Sequence, residues 1–120
     1  MKPMVFSISN RILIMEGVAY SAVSGPFKNG PLPIGEYKLS KLVKLNPHTS
    51  NKGFVVKKTA FWIKLYPQFE TTRTGLGIHP DGNIPGTLGC IGISGDFSVL
   101  GFIEHYEDLQ EKPTRLIVVE

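Results

Sequence analysis

The chain has 120 residues, 42 % hydrophobic and 19 % charged, which fits one domain spanning 1–120 with a real core and leaves no room for a second. Its net charge of +3 favours anionic partners without choosing among them, and no basic stripe interleaved with aromatics points to nucleic acid. A single cysteine excludes an intramolecular disulfide and a zinc site built mainly of thiolates.

From the N-terminus, residues 4–9 and 11–15 are short apolar or alternating runs split by Asn10–Arg11, and they read as two strands around a tight turn. Ser7, Ser9, Asn10 and Arg11 interrupt any signal-peptide core, and no later stretch reaches the roughly 18 to 20 apolar residues of a membrane span. Residues 18–23 alternate as a third strand. The Gly- and Pro-rich SGPFKNGPLPIGEY is a series of turns. Residues 37–45 alternate with one slip, the mark of a half-buried strand with a bulge. A turn cluster at 46–53 precedes β-rich runs at 54–56 and 60–65, and 67–75 is polar and loop-like. Residues 75–79 form a short strand, followed by a tight loop and a second apolar piece at 90–93.

One helix is expected after that. Ser94 or Asp96 is placed to cap it. Val99, Phe102, Ile103, Tyr106 and Leu109 recur at helical spacing. Lys112–Pro113 ends the helix, and 116–119 forms a closing strand. The expected architecture is a mostly β sandwich or barrel with one late helix.

The chemistry concentrates in GLGIHPDGNIPGTLGCIGI, residues 75–93. A histidine ends one short strand and a cysteine opens the next. Neighbouring strands lie about 4.8 Å apart, so His79 and Cys90 at paired strand ends are within reach of a hydrogen bond. A thiol nucleophile needs such a base. Gly89 leaves room beside the sulfur, and backbone N–H groups at 88–90 are available to an oxyanion. The alternative reading of the same residues is a buried cysteine and a loop histidine.

Those residues resemble the L,D-transpeptidase (YkuD-type) catalytic domain. Ile78–His79 and Thr87-Leu88-Gly89-Cys90 match its histidine step and most of its Ser/Thr-His-Gly-Cys signature. PLPIGEYKL at 31–39 resembles its Pro-x-Gly-x-Tyr/Phe strand start. The resemblance covers nearly the whole chain, although only two motifs are specific. It implies an L,D-transpeptidase-like β fold with one helix after the cysteine. It also implies Cys90 as acylated nucleophile, His79 as base and the Pro80 carbonyl orienting the ring. Thr87, Leu88 and Gly89 would shape the cysteine loop, and no cofactor or metal is implied. The expected substrate is a peptidoglycan stem peptide.

Two positions depart from the pattern: Leu88 replaces the histidine before Gly-Cys, and Gly92 replaces the arginine two places after the cysteine. Arg73 is a candidate to replace that arginine, and Tyr66, with Trp62 and Phe69, to line a cleft. The departures and the missing export signal resemble a compact subgroup, the type VI secretion effectors and phage-borne domains. These are delivered by a secretion system or phage lysis and act in the periplasm or cell wall. An effector would be matched by an immunity protein. Rival readings are a sortase-like transpeptidase, for which Arg115 is the only arginine beyond the cysteine, and a catalytically degraded wall-binding domain.

Overall fold

The computed structural model describes residues 2–26, 30–82, 86–87 and 89–120. Among the described residues ten strands, one α-helix and a short 3₁₀ helix (Lys52–Phe54, between β5 and β6) follow in chain order: β1 (Met4–Ser7), β2 (Ile12–Met15), β3 (Val18–Ser24), β4 (Gly35–Leu39), β5 (Val43–Lys44), β6 (Val55–Val56), β7 (Thr59–Pro67), β8 (Gly77–Asp81), β9 (Ile91–Ser94), α1 (Asp96–Asp108) and β10 (Arg115–Val119). Among the described residues no helix is long and apolar enough to cross a membrane.

The sheet runs β4-β10-β1-β2-β3-β9-β8-β7, and β7 pairs back onto β4. Eight strands therefore close on themselves, which removes the exposed edges of an open sheet. Two pairings are parallel, β1 with β10 and β8 with β9. Alternation decides what fills the interior. Phe61, Ile63 and Leu65 of β7 point inward with Met4, Phe6, Leu13, Met15, Ile91, Ile93, Leu116 and Val118, all buried. Trp62, Lys64 and Tyr66 fall on the outer side. Helix α1 packs on β3 and β9, burying Val99, Phe102 and Tyr106. The Phe102 ring stands edge-on to Tyr20 and stacks on Phe61.

The strand expected over 37–45 is interrupted. Leu39 faces Leu65 and Val43 faces Trp62, so four steps of one chain oppose three of the other. That one-residue bulge separates β4 from β5. The helix N-cap is Gly95, at φ 85°, with no side-chain cap bond, so neither Ser94 nor Asp96 caps it. The other end is held by the Lys112 ammonium, which donates to the carbonyls of Tyr106, Glu107 and Leu109 at 2.7, 2.9 and 2.6 Å. A cation there also suits the negative end of the helix dipole. β8 runs past His79 through Pro80 to Asp81. Proline fits because the pairing of β7 with β8 covers only Ile63–Ile78 and Lys64–Gly77, so Pro80 owes that neighbour no N–H.

Candidate active site

His79 and Cys90 sit where β8 and β9 run side by side. The parallel register pairs Ile78 with Ile91 and His79 with Gly92. One step back, Gly77 lies beside Cys90. His79 and Cys90 thus share the outward face as diagonal neighbours rather than a directly facing pair. No hydrogen bond joins them in this structure. The thiol donates to the Gly75 carbonyl at 3.6 Å, and the sulfur is half-buried, not sealed in the core.

The imidazole is fixed on three sides. Its Nδ1 lies 2.7 Å from the Pro80 carbonyl oxygen. A carbonyl can only accept, so Nδ1 carries the proton and Nε2 keeps its lone pair. Phe54 packs 4.1 Å from the ring, centroid to centroid, and Trp62 stacks at 5.9 Å and 11°. At 3 % exposure the ring is desolvated, and that burial pushes its pKa down against the opposing effect of the Pro80 contact. Burial pushes the Cys90 thiol up, with the Gly77 backbone N–H and the Arg73 charge pulling the other way. Both shifts favour the neutral forms, thiol and imidazole, over a thiolate–imidazolium pair.

The cysteine loop is held by Thr87. Its hydroxyl accepts from Gly25 N at 3.0 Å and Gly89 N at 3.2 Å and donates to the Cys90 carbonyl at 2.6 Å. A hydroxyl offers one donor and two acceptor sites, so none is left for a ligand, and the residue is 5 % exposed. Thr87 holds the cysteine loop together rather than facing open space. The Thr87 N–H donates to the Gly25 carbonyl at 2.7 Å, so Gly25 is bonded to both backbone and side chain of Thr87. The Gly89 N–H, expected as an oxyanion donor, is occupied by Thr87. Among the described residues of the expected 88–90 set, the N–H of Cys90 remains available. Leu88 lies outside the described residues.

Two side chains that the sequence did not assign to the cysteine loop complete the support. Ser24 accepts from Leu32 N at 2.9 Å and donates to the Gly89 carbonyl at 3.4 Å. Asp81 accepts from Gly86 N at 2.9 Å. The barrel's long-range pairing brings Ser24 to the loop, 65 residues away from Gly89 in the chain, whereas Asp81 opens the same loop and bonds only five residues ahead.

Arg73 stands over this loop. Gly89 has φ +131°, and a Cβ there would lie 2.2 Å from an Arg73 guanidinium nitrogen. The guanidinium also donates to the Pro31 carbonyl at 3.3 Å. The same charge opposes the burial that lifts Tyr37 to about 12. Tyr66 is 46 % exposed on the outer side of β7, two strands from the cysteine. Phe69 packs against Tyr37 at 5.3 Å. Gly92 has no space for the arginine expected from the resemblance, because a Cβ would sit 2.8 Å from both Asp81 Cβ and Thr87 Cγ2. Away from the site, His105 is bonded to the Tyr20 hydroxyl at 2.7 Å and His48 is exposed. Among the described residues no group of three metal-ligating side chains forms.

No protein-family model and no curated protein matches the chain. Among solved structures it is similar to an L,D-transpeptidase from Mycobacterium tuberculosis H37Rv, with TM-score 0.56 and 19 % identity, over 98 % of this chain and 57 % of that one. A second similar structure is Mycobacterium tuberculosis L,D-transpeptidase 1, with TM-score 0.47 and 20 % identity, over 98 % and 58 %. The first likeness shows that the fold is L,D-transpeptidase-like. The chain spans less than two thirds of either structure's length.

Proposed function

We propose that this protein is a peptidoglycan-modifying cysteine enzyme that cleaves or exchanges the terminal D-alanine of tetrapeptide stems. The observation that carries this reading is a half-buried thiol diagonal to an imidazole whose Nδ1 is committed to its neighbour's carbonyl, on an L,D-transpeptidase-like barrel. Rotation about the Cα–Cβ bond of Cys90 brings the sulfur off the Gly75 carbonyl and toward Nε2. As Sγ attacks the carbonyl between the third stem residue and D-alanine, its proton passes to Nε2. The Cys90 N–H faces the developing oxyanion, and the Arg73 charge adds favourable potential. Collapse breaks the C–N bond, and the imidazolium returns the proton to the departing amine. A thioester remains. Water then gives a tripeptide, or a D-amino acid amine gives an exchanged tetrapeptide; in each case Nε2 takes the acceptor's proton and returns it to the thiolate. The acid-base work needs a neutral imidazole at rest, and the depressed His79 pKa supports that state.

The place of action in this proposal is the periplasm or cell wall. The Leu88 and Gly92 departures support the diverged effector or phage-borne subgroup, delivered to a competitor or host, with an immunity protein on the producer's side. A second reading, a wall-binding domain without catalysis, is favoured by the raised thiol pKa and the absence of a Cys90–His79 hydrogen bond.

The deciding experiment digests disaccharide-tetrapeptide with wild type and Cys90→Ala. Tripeptide or exchanged tetrapeptide from wild type alone is the expected result. Identical muropeptide profiles, with both proteins still binding sacculi, would leave the binding reading in its place.

A further inference from the structure

Charge is strongly segregated along this chain. Residues 37–69 hold seven lysines and no acidic residue. The remaining residues, with six of the thirteen Lys and Arg and all ten Asp and Glu, are net acidic. All seven lysines are exposed. Lys44 and Lys57 reach across to Glu107 and Asp96. Among the described residues neither Lys38 nor Lys64 has an acidic partner.

The fold aligns one of them with the nucleophile. Lys64 pairs with Gly77 across β7 and β8, and one step before the Ile78–Ile91 pair of β8 and β9 Gly77 comes beside Cys90, its backbone N–H reaching the thiol. Lys64, Gly77 and Cys90 therefore form one outward row. Two strand spacings separate its ends, about 10 Å. Gly77 contributes no side chain; the Trp62 indole lies where its Cβ would be, with ring carbons at 2.4 and 2.5 Å. The row thus has an apolar floor, with a cation at one end and the thiol at the other. In the next row Lys38 pairs with Tyr66, and the Lys64 ammonium sits 5.3 Å from the Tyr66 ring centroid.

Resting on the cysteine-enzyme reading above, we propose that Lys64, assisted by Lys38, is a carboxylate subsite of the acyl donor. It would hold an acidic group about three extended residues, roughly 10 Å, from the bond attacked by Cys90. The stem peptide is favoured over other polyanions because the lysine and the thiol share one continuous row. A polymer that merely covered the basic face would need no such alignment. The consequence is specificity: a donor with free carboxylates is preferred over the same donor with those groups as carboxamides.

The test compares free-carboxylate and carboxamide forms of a disaccharide-tetrapeptide donor, with wild type, Lys64→Gln, Lys64→Glu and Lys64→Arg. The expected wild-type preference for the carboxylate form falls about two- to fivefold in Lys64→Gln, the range of one solvent-exposed ion pair. Reversing the charge in Lys64→Glu takes that to about tenfold, chiefly through KM, and Lys64→Arg keeps the preference. Binding of both donors to the Cys90→Ala protein gives the same comparison without turnover. Equal use of the two donors by wild type and Lys64→Glu would overturn the subsite and leave the catalytic reading standing. Tighter binding of the carboxylate donor with no thioester formed would do the reverse. Lys64→Glu that loses a single-stranded oligonucleotide or anionic vesicles, with its donor preference intact, would assign the face to another polyanion and overturn the proposal.

Discussion

Replacing Thr87 by valine isolates the hydroxyl on which the cysteine loop hangs. Valine keeps the branched shape, including the methyl group that lies against Gly92, and removes only the oxygen. Three groups then lose their partner: the N–H of Gly25, the N–H of Gly89 and the carbonyl of Cys90. Gly25 and Gly89 are both buried, so their donors have no ready access to water. Each buried unpaired group costs about 1–3 kcal/mol, and partial relaxation of the loop brings the sum to about 3 kcal/mol. Unfolding entropy near 2.1 cal/mol/K per residue over 120 residues is about 0.25 kcal/mol/K, so Tm should fall by roughly 12 °C. A stability of about 5–15 kcal/mol absorbs that loss, and the variant should still fold. Thr87→Ser keeps the oxygen and should lose about 1 kcal/mol, through the missing methyl alone. Circular dichroism melts and urea titrations give the stabilities, and iodoacetamide labelling reports whether Cys90 has moved. A valine variant within about 1 kcal/mol of wild type, with unchanged Cys90 reactivity, would refute the role given to this hydroxyl.

Two further outcomes follow from the packing around the site. Gly92→Arg, which installs the residue expected from the resemblance, should destabilise the fold by about 1–3 kcal/mol or more, the usual cost of overpacking, and should lower turnover rather than raise it. Urea midpoints and donor assays check this, and an arginine variant more active than wild type would contradict the crowding at Asp81 and Thr87. Stability should also fall as pH drops below about 6.5, the ordinary histidine value. There the unfolded chain takes up a proton that the buried, neutral His79 of the folded state resists. The slope from one such group is at most about 1.4 kcal/mol per pH unit. Urea titrations from pH 7.5 to 5.5 on wild type and His79→Gln measure it as a difference, in which the raised Asp81 pKa cancels. Parallel pH profiles for the two proteins would show that His79 is not held neutral.

Local pattern made most strands legible, because alternation in 4–9, 11–15, 18–23 and 60–65 reports which side faces a core. The barrel was not legible in that way. Its closure rests on Tyr37 meeting Pro67 and on Met4 running parallel to Leu116, pairings between segments far apart in the chain. The same limit applies to the site. Gly89 beside Cys90 and His79 after an apolar step stand out in the sequence. That Gly92 rather than Cys90 faces His79 depends on a parallel register that no local signal encodes. Ser24 reads as an ordinary polar residue until the fold brings it to Gly89; Asp81 stands beside the loop in the sequence, but its bond to Gly86 N is a matter of loop conformation. The helix cap was misplaced because Gly95 adopts a left-handed conformation and leaves Ser94 and Asp96 outside the capping position. The lysines of 37–69 read in one dimension as scattered charges. Only the pairing of β7 with β8 puts Lys64 in line with the thiol.

Trapping the acyl-enzyme tests the central claim most directly. Wild type, Cys90→Ala and His79→Ala would each be mixed with excess carbapenem, quenched in acid and analysed by intact mass and peptide mapping. One adduct on the Cys90 peptide of wild type is expected, forming far more slowly in His79→Ala and not at all in Cys90→Ala. An unmodified wild-type protein, or an adduct that persists in Cys90→Ala, would contradict the account.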